Sequence, residues 1–187
     1  MRTFIALNIP RKERQRIWRA VEPLRERGLP VRWVEADNLH LTLKFLGEVR
    51  PERLGEVEAA VSGVASSTEP FSLGLGGFGA FPTLRKPRVI WLGVEATPEL
   101  RCLKQDLEWA LADCGFEAET RDFHPHLTLG RAGTGGGAGP FRDLDVLVAR
   151  LEFSSRVDLE SLDLMRSQLG REGARYSVVC AARFEGA

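Results

Sequence analysis

Cysteine, histidine and tyrosine are scarce in this 187-residue chain, with three, three and one copies, and no charge sign is in excess, since 26 basic side chains meet 26 acidic ones. Each scarcity excludes something. Cys102, Cys114 and Cys180 are odd in number, far apart and without a C-x-x-C pair, which argues against a redox dithiol or a cysteine-ligated zinc site and leaves them as small buried hydrophobes. A formal charge of zero gives no global pull toward nucleic acid or an anionic membrane, so an anionic substrate must meet a local patch. No stretch approaches the roughly 18 consecutive apolar residues of a membrane span. The opening run 3–9 is too short, and too soon interrupted by Pro10, to be a signal segment. The expectation is a soluble, cytoplasmic protein with no membrane partner.

Hydrophobic spacing supplies the elements. Residues 3–9 are apolar and β-branched and read as a strand, after which Ile17, Val21 and Leu24 share one helical face that ends at Gly28. Residues 31–34 begin another extended stretch. Pro51 and Glu52 open a second helix with Leu54, Val57, Val61 and Val64 on its buried side. Residues 71–78 and 88–94 read as strands. Thr97-Pro98-Glu99 then provides an N-cap, a pre-set first helical residue and an acid against the dipole, and Leu100, Leu103, Leu107 and Leu111 form the apolar face of a helix closed by Gly115. Further strands are expected at 126–129, 151–153, 159–164 and 176–184. Three helices among roughly eight strands predict an α+β protein with largely antiparallel sheet. The glycine-rich run 133–139 lacks the Gly-Lys-[Ser/Thr] ending of a phosphate loop, with no convincing helix at its far side, and reads as a linker.

Two of the three histidines begin the same tetrapeptide, His40-Leu-Thr-Leu43 and His126-Leu-Thr-Leu129. With eight threonines in the chain, a given histidine has one two places later about 4% of the time, so two of three doing so by accident is on the order of 0.5%. Along a strand, residues i and i+2 share a face, so each tetrapeptide turns His and Thr one way and both leucines into a core. The copies lie nearly half the chain apart, and each follows a strand and then a helix. This predicts one bilobal domain over residues 1–187, built from two related halves with motif strands near 39–47 and 123–131 that meet at a cleft.

Two imidazoles suit general acid–base work, because a pKa of about 6.5 lets one ring be neutral while the other is protonated near pH 7. The hydroxyls of Thr42 and Thr128 can donate to phosphate oxygens. No serine elbow and no Cys–His pair is present to act as nucleophile, so water or a substrate hydroxyl is the expected attacker. His124 has no threonine at i+2 and reads as structural. A zinc site of His40, His124 and His126 is the rival arrangement, and the repeat weighs against it. Lys44 shares parity with His40 and Thr42 and should reach the same cleft. Phe45 and Arg131 occupy equivalent places five residues after their histidines. Strict parity sends both to the core; for an arginine that is implausible, and Gly130 can supply the bend that frees it. Arginine is the side chain best shaped to grip a phosphate.

The paired H-x-T-x motifs, with the runs Arg32-Trp-Val, Asn38-Leu-His-Leu-Thr-Leu-Lys-Phe-Leu-Gly47, Pro87-Arg-Val-Ile-Trp-Leu-Gly93 and Phe123-His-Pro-His-Leu-Thr-Leu-Gly-Arg131, make the chain resemble the two-histidine phosphoesterase superfamily, and within it the RNA 2′,3′-cyclic phosphodiesterases, also called 2′-5′ RNA ligases. The resemblance implies an α+β fold of two pseudo-symmetric lobes, helices on the outside and the active site in the groove between them. It implies His40 as proton donor to the leaving oxygen, His126 as the base that activates water, and Thr42, Thr128 and Arg131 on the phosphate, with Lys44 and Phe45 as candidate substrate contacts. It further implies no metal or other cofactor, RNA 3′ ends with a cyclic phosphate as partner, tRNA halves among them, and a monomer. Alternatives are a phosphodiesterase acting on a small cyclic nucleotide or ADP-ribose cyclic phosphate, and a non-catalytic RNA-end binder. Candidates for an RNA track are Arg85, Lys86, Arg88, Arg166, Arg171 and Arg175.

Overall fold

The computed structural model describes residues 1–133, 137–170 and 173–186. The centre of the glycine-rich run, 134–136, and Arg171 lie outside the described residues. The strands are β1 (Arg2–Asn8), β2 (Val31–Trp33), β3 (His40–Glu48), β4 (Phe71–Pro82), β5 (Pro87–Val94), β6 (His126–Ala132), β7 (Ser154–Leu159), β8 (Ser161–Gly170) and β9 (Gly173–Arg183). The helices are α1 (Arg11–Ala20), α2 (Glu22–Arg25), α3 (Leu54–Ser66), α4 (Pro98–Asp113) and α5 (Leu144–Ala149). They form an open antiparallel sheet in the order β7-β4-β5-β6-β3-β1-β8-β9, with β2 added beside β6.

That order sets the two motif strands, β6 and β3, side by side at the centre. On one side of the centre lie β6, β5, β4 and β7, on the other β3, β1, β8 and β9. Among the described residues the two sets of four are joined through a single pair, Leu41 opposite Leu127. Each motif strand has its partner from its own half, β1 for β3 and β5 for β6.

The helices cover one face. Ile17, Val21 and Leu24, then Val57 and Val61, then Leu100, Leu103, Leu107 and Leu111 are buried in one core with Leu41, Leu43, Leu127 and Leu129 from the motif strands. Fully burying a side chain of this size contributes about 1.5–3 kcal/mol. α4 starts as expected, with Thr97 Oγ1 accepting from Leu100 N at 3.3 Å and Pro98 at the first turn, and it ends before Gly115 at φ +80°. Among the described residues the opposite face carries no helix. A smaller cluster of Phe4, Ala6 and Met165 with Tyr176 lies there.

Several expectations need correction. Residues 151–153 are not a strand: β7 begins at Ser154, and the six-residue helix α5 precedes it. A helix this short, burying Leu144 and Val148, leaves too little periodicity to detect. The stretch 159–164 is split at Glu160 between β7 and β8. The cysteines are free thiols, but none is fully buried: Cys102 is exposed and Cys114 and Cys180 are half-buried. No helix among the described residues is long and apolar enough to cross a membrane.

Candidate active site

The face away from the helices is where His40, Thr42, His126 and Thr128 meet. Their strands run antiparallel, and the leucine pair 41/127 faces the core. The residues flanking each leucine therefore point the other way, placing His40 toward Thr128 and Thr42 toward His126, with the two imidazoles on the diagonal.

Both rings are held in the same manner. His40 Nδ1 lies 2.7 Å from the carbonyl oxygen of Asn38, and His126 Nδ1 lies 2.7 Å from that of His124. A carbonyl only accepts, so in each ring Nδ1 carries the hydrogen and donates it, and Nε2 is left to work. His40 Nε2 meets Thr42 Oγ1 at 3.1 Å. His124 thus contributes through its backbone, and its own ring is exposed. Aromatic neighbours wedge the imidazoles. His40 stands 4.9 Å from Phe4 and 5.0 Å, edge-on, from Tyr176, while His126 stands 5.1 Å from Phe81 and 6.5 Å from Trp91, centroid to centroid.

Those surroundings set the protonation. Burial pushes His40 down from about 6.5 to about 4, against the hydrogen bond to Asn38 and with help from the Arg131 charge. Burial also lowers His126, opposed by the hydrogen bond to the His124 carbonyl and reinforced by Arg131 and His124. Both rings are neutral near pH 7 in the unliganded protein. Arg131 acts on both, so one guanidinium field spans the two histidines.

The two motif strands share an irregularity that resolves the parity problem. Against β1, β3 skips Leu43, with Ala6 opposite Thr42 and Ile5 opposite Lys44. Against β5, β6 skips Leu129, with Trp91 opposite Thr128 and Ile90 opposite Gly130. Each strand carries one extra residue at its second leucine, and everything beyond it changes face. Arg131 consequently stands exposed on the site's face, as the bend at Gly130 predicted. The same bulge in the first half overturns the reading of Lys44, which turns inward, 4% exposed. Its Nζ donates to Glu108 at 2.5 Å and to the Glu117 carbonyl at 2.7 Å, so it is not available to a substrate. Phe45 takes its place on the open face, 66% exposed, with its ring 5.9 Å from Phe4. A hollow of about 420 Å³ lies beyond it, lined by Lys44, Phe45, Phe116 and Glu119 among others. It contains neither histidine, and the chemistry, not the volume, marks the site.

Sequence reasoning missed Phe4, Tyr176, Phe81 and Trp91, which hold the rings, and also Asn8, the cross-strand partner of His40. Asn8 Nδ2 donates to Asp163 Oδ2 at 2.6 Å and approaches Met165 Sδ at 3.4 Å. A carboxylate accepts only, so the Asn8 amide is oriented with its oxygen away from Asp163. Arg85 and Lys86 sit in the turn between β4 and β5, ahead of Val89, which pairs with Arg131. No group of three His, Cys, Asp or Glu side chains among the described residues is arranged to hold a metal ion.

An open antiparallel sheet whose two central strands each present His and Thr on one face is the arrangement of a two-histidine phosphoesterase. Residues 14–171 match the family described as the 2′-5′ RNA ligase superfamily, and the chain belongs to that family. It is 34% identical over 188 residues to the RNA 2′,3′-cyclic phosphodiesterase of Thermotoga maritima, covering 100% of this chain and 97% of the relative. The fold is similar to a Thermus thermophilus protein of known crystal structure, with TM-score 0.82, 28% identity and coverage of 100% and 99% of the two chains. It is also similar to E. coli LigT complexed with 3′-AMP, with TM-score 0.73, 31% identity and coverage of 98% and 97%.

Proposed function

We propose that this enzyme hydrolyses the 2′,3′-cyclic phosphate at RNA 3′ ends to a 2′-phosphate, by acid–base catalysis between His40 and His126 and without a metal. One observation carries the reading: both imidazoles fix Nδ1 on the carbonyl two residues back and turn Nε2 away from that anchor on the same face, that of His40 toward Thr42 Oγ1, on either side of the Leu41–Leu127 pair. The relatives named as RNA 2′,3′-cyclic phosphodiesterases support the substrate class.

In the step proposed, the oxygen of a water molecule attacks phosphorus and gives a proton to His126 Nε2. The bond from phosphorus to the 3′ oxygen breaks, and His40 Nε2 delivers a proton to that oxygen. Thr42, Thr128 and Arg131 hold the non-bridging oxygens, where donors set in place beforehand act most strongly as charge grows. Both rings are neutral in the free protein, so the acid must gain its proton on binding. The cyclic phosphate supplies the cause, since its negative charge offsets Arg131 and favours an imidazolium beside it. Microscopic reversibility lets a 5′-hydroxyl replace water, joining RNA through a 2′-5′ linkage at the same site.

The test is incubation with an RNA ending in a 2′,3′-cyclic phosphate, in the presence of EDTA, followed by identification of the product end. The expected result is undiminished turnover to a 2′-phosphate. A 3′-phosphate would reverse the leaving-group assignment, and a loss of activity restored by zinc would replace the mechanism by metal hydrolysis.

A further inference from the structure

β2 is three residues long, and its register against β6 sets Arg32 directly opposite Arg131. Its neighbours Val31 and Trp33 pack against the core. Arg32, between them, must therefore face the other way, toward the side of the sheet that carries the histidines. Cross-strand partners have their Cβ atoms about 5 Å apart, and like charges there repel.

Among the described residues no carboxylate pairs with either guanidinium. Other arginines lie beside carboxylates, Arg16 on Glu13 and Arg53 on Glu56. Among the described residues neither the Arg32 nor the Arg131 side chain has an ion pair or hydrogen bond, and both residues are exposed. The nearby imidazoles are neutral. In a chain of zero formal charge, two adjacent uncompensated guanidiniums form the local positive patch that an anion requires. Their positions are not equivalent. The charge on Arg131 acts on both histidines, while Arg32 acts on neither. Arg32 thus stands one strand outside the ring of groups around the scissile phosphorus, yet beside a member of it.

We propose that Arg32 binds the internucleotide phosphate on the 5′ side of the terminal nucleoside while Arg131 binds the cyclic phosphate, so that the site selects the end of an RNA chain over a nucleoside 2′,3′-cyclic monophosphate. The proposal rests on the function given above for the identity of the substrate. Arginine suits the task because its planar fork meets two phosphate oxygens at once.

The experiment compares wild type, Arg32→Gln and Arg32→Lys on two substrates: an RNA pentamer ending in a 2′,3′-cyclic phosphate, and the corresponding mononucleotide. In Arg32→Gln the ratio of kcat/KM, pentamer over mononucleotide, falls at least tenfold, carried mainly by KM on the pentamer. The logarithmic salt slope for the pentamer becomes shallower by about 0.7, one phosphate contact on a single strand. Arg32→Lys recovers part of the ratio. An unchanged ratio, or equal losses on both substrates, overturns the proposal. A second arm measures anisotropy of a fluorescent pentamer ending in a 2′-phosphate, which needs no turnover. If the wild type opens neither cyclic substrate but Arg32→Gln weakens pentamer binding at least tenfold, the second phosphate site stands and the hydrolytic function falls. Unweakened binding removes the site whatever the turnover.

Discussion

Leu41 and Leu127 face each other across the centre of the sheet, and this one pair joins its two halves among the described residues. Both side chains are buried, at 1% and 0% exposure, so the alignment of His40 with His126 is fixed from beneath by the core. Leu127→Ala removes part of that support. Deletions of this kind cost about 2–5 kcal/mol, and a small misplacement of reacting groups costs rate as well as stability. The expected outcome is a lower unfolding midpoint in urea together with a fall in kcat, with KM affected less.

The protonation states predict a pH dependence of definite sign. kcat/KM reports the free enzyme, in which His40 titrates at about 4 and His126 below its ordinary value. One ring must be protonated and the other neutral, so the kcat/KM bell should peak on the acid side of pH 6.5. The kcat profile, which reports the complex, should peak at higher pH because the bound anion favours both imidazolium forms. A kcat/KM optimum above pH 7.5 contradicts this. Folding follows the same groups: a histidine depressed in the folded state contributes stability above its unfolded pKa, and that contribution is lost as pH falls from about 6.5 to about 4. For His40 it amounts to at most about 3 kcal/mol, and His40→Asn should flatten that part of the difference between urea midpoints at pH 7 and 4.5.

Glu108 joins two buried lysines. Its Oε2 accepts from Lys44 and its Oε1 from Lys104, each at 2.5 Å, and Lys104 also donates to the Leu43 carbonyl at the bulge. Burial alone would raise the Glu108 carboxyl, but hydrogen bonds from Lys104 and Lys44 bring it below its ordinary value. Glu108→Gln leaves the buried Lys44 ammonium without its carboxylate, while Lys104 keeps Glu119 Oε2 at 2.9 Å. Breaking such a network costs about 3 kcal/mol, measurable as a shift in urea midpoint at pH 7. The wild type should lose the same contribution as pH falls and Glu108 takes up its proton.

Gly130 occupies the bulge position equivalent to Lys44. A Cβ there would meet Val31 Cγ1 at 2.5 Å and Trp33 Cε3 at 2.9 Å. Gly130→Ala must push β2 away or reshape the bulge that exposes Arg131. Overpacking of this sort costs about 1–3 kcal/mol, and KM for cyclic-phosphate RNA should rise more than kcat falls.

The repeated tetrapeptide made the core of the site legible, because a strand's two-residue period assigns faces without tertiary information. The period failed one residue later. Gly130 signalled the break in the second half, but the first half has Lys44 there, and no local feature distinguishes a bulged lysine from a regular one. Its burial depends on Glu108, and Glu108 belongs to α4. Tyr176, Asp163 and Arg32 were illegible for the same reason, since strand register rather than sequence neighbours sets Tyr176 against His40, Asp163 against Asn8 and Arg32 opposite Arg131. The helices with four apolar residues on one face were readable, whereas α5, with two, was not.

The division of labour between the imidazoles is tested most directly by an RNA whose terminal cyclic phosphate carries sulfur in place of the 3′ bridging oxygen, because a thiolate departs without needing a proton. On the ordinary substrate, His40→Ala and His126→Ala should each lose about 10²–10⁴ in kcat. On the sulfur substrate His40→Ala should recover to near the wild-type rate while His126→Ala stays impaired. Equal impairment of both variants on both substrates, or rescue of His126→Ala instead, would contradict the assignment of His40 as acid and His126 as base.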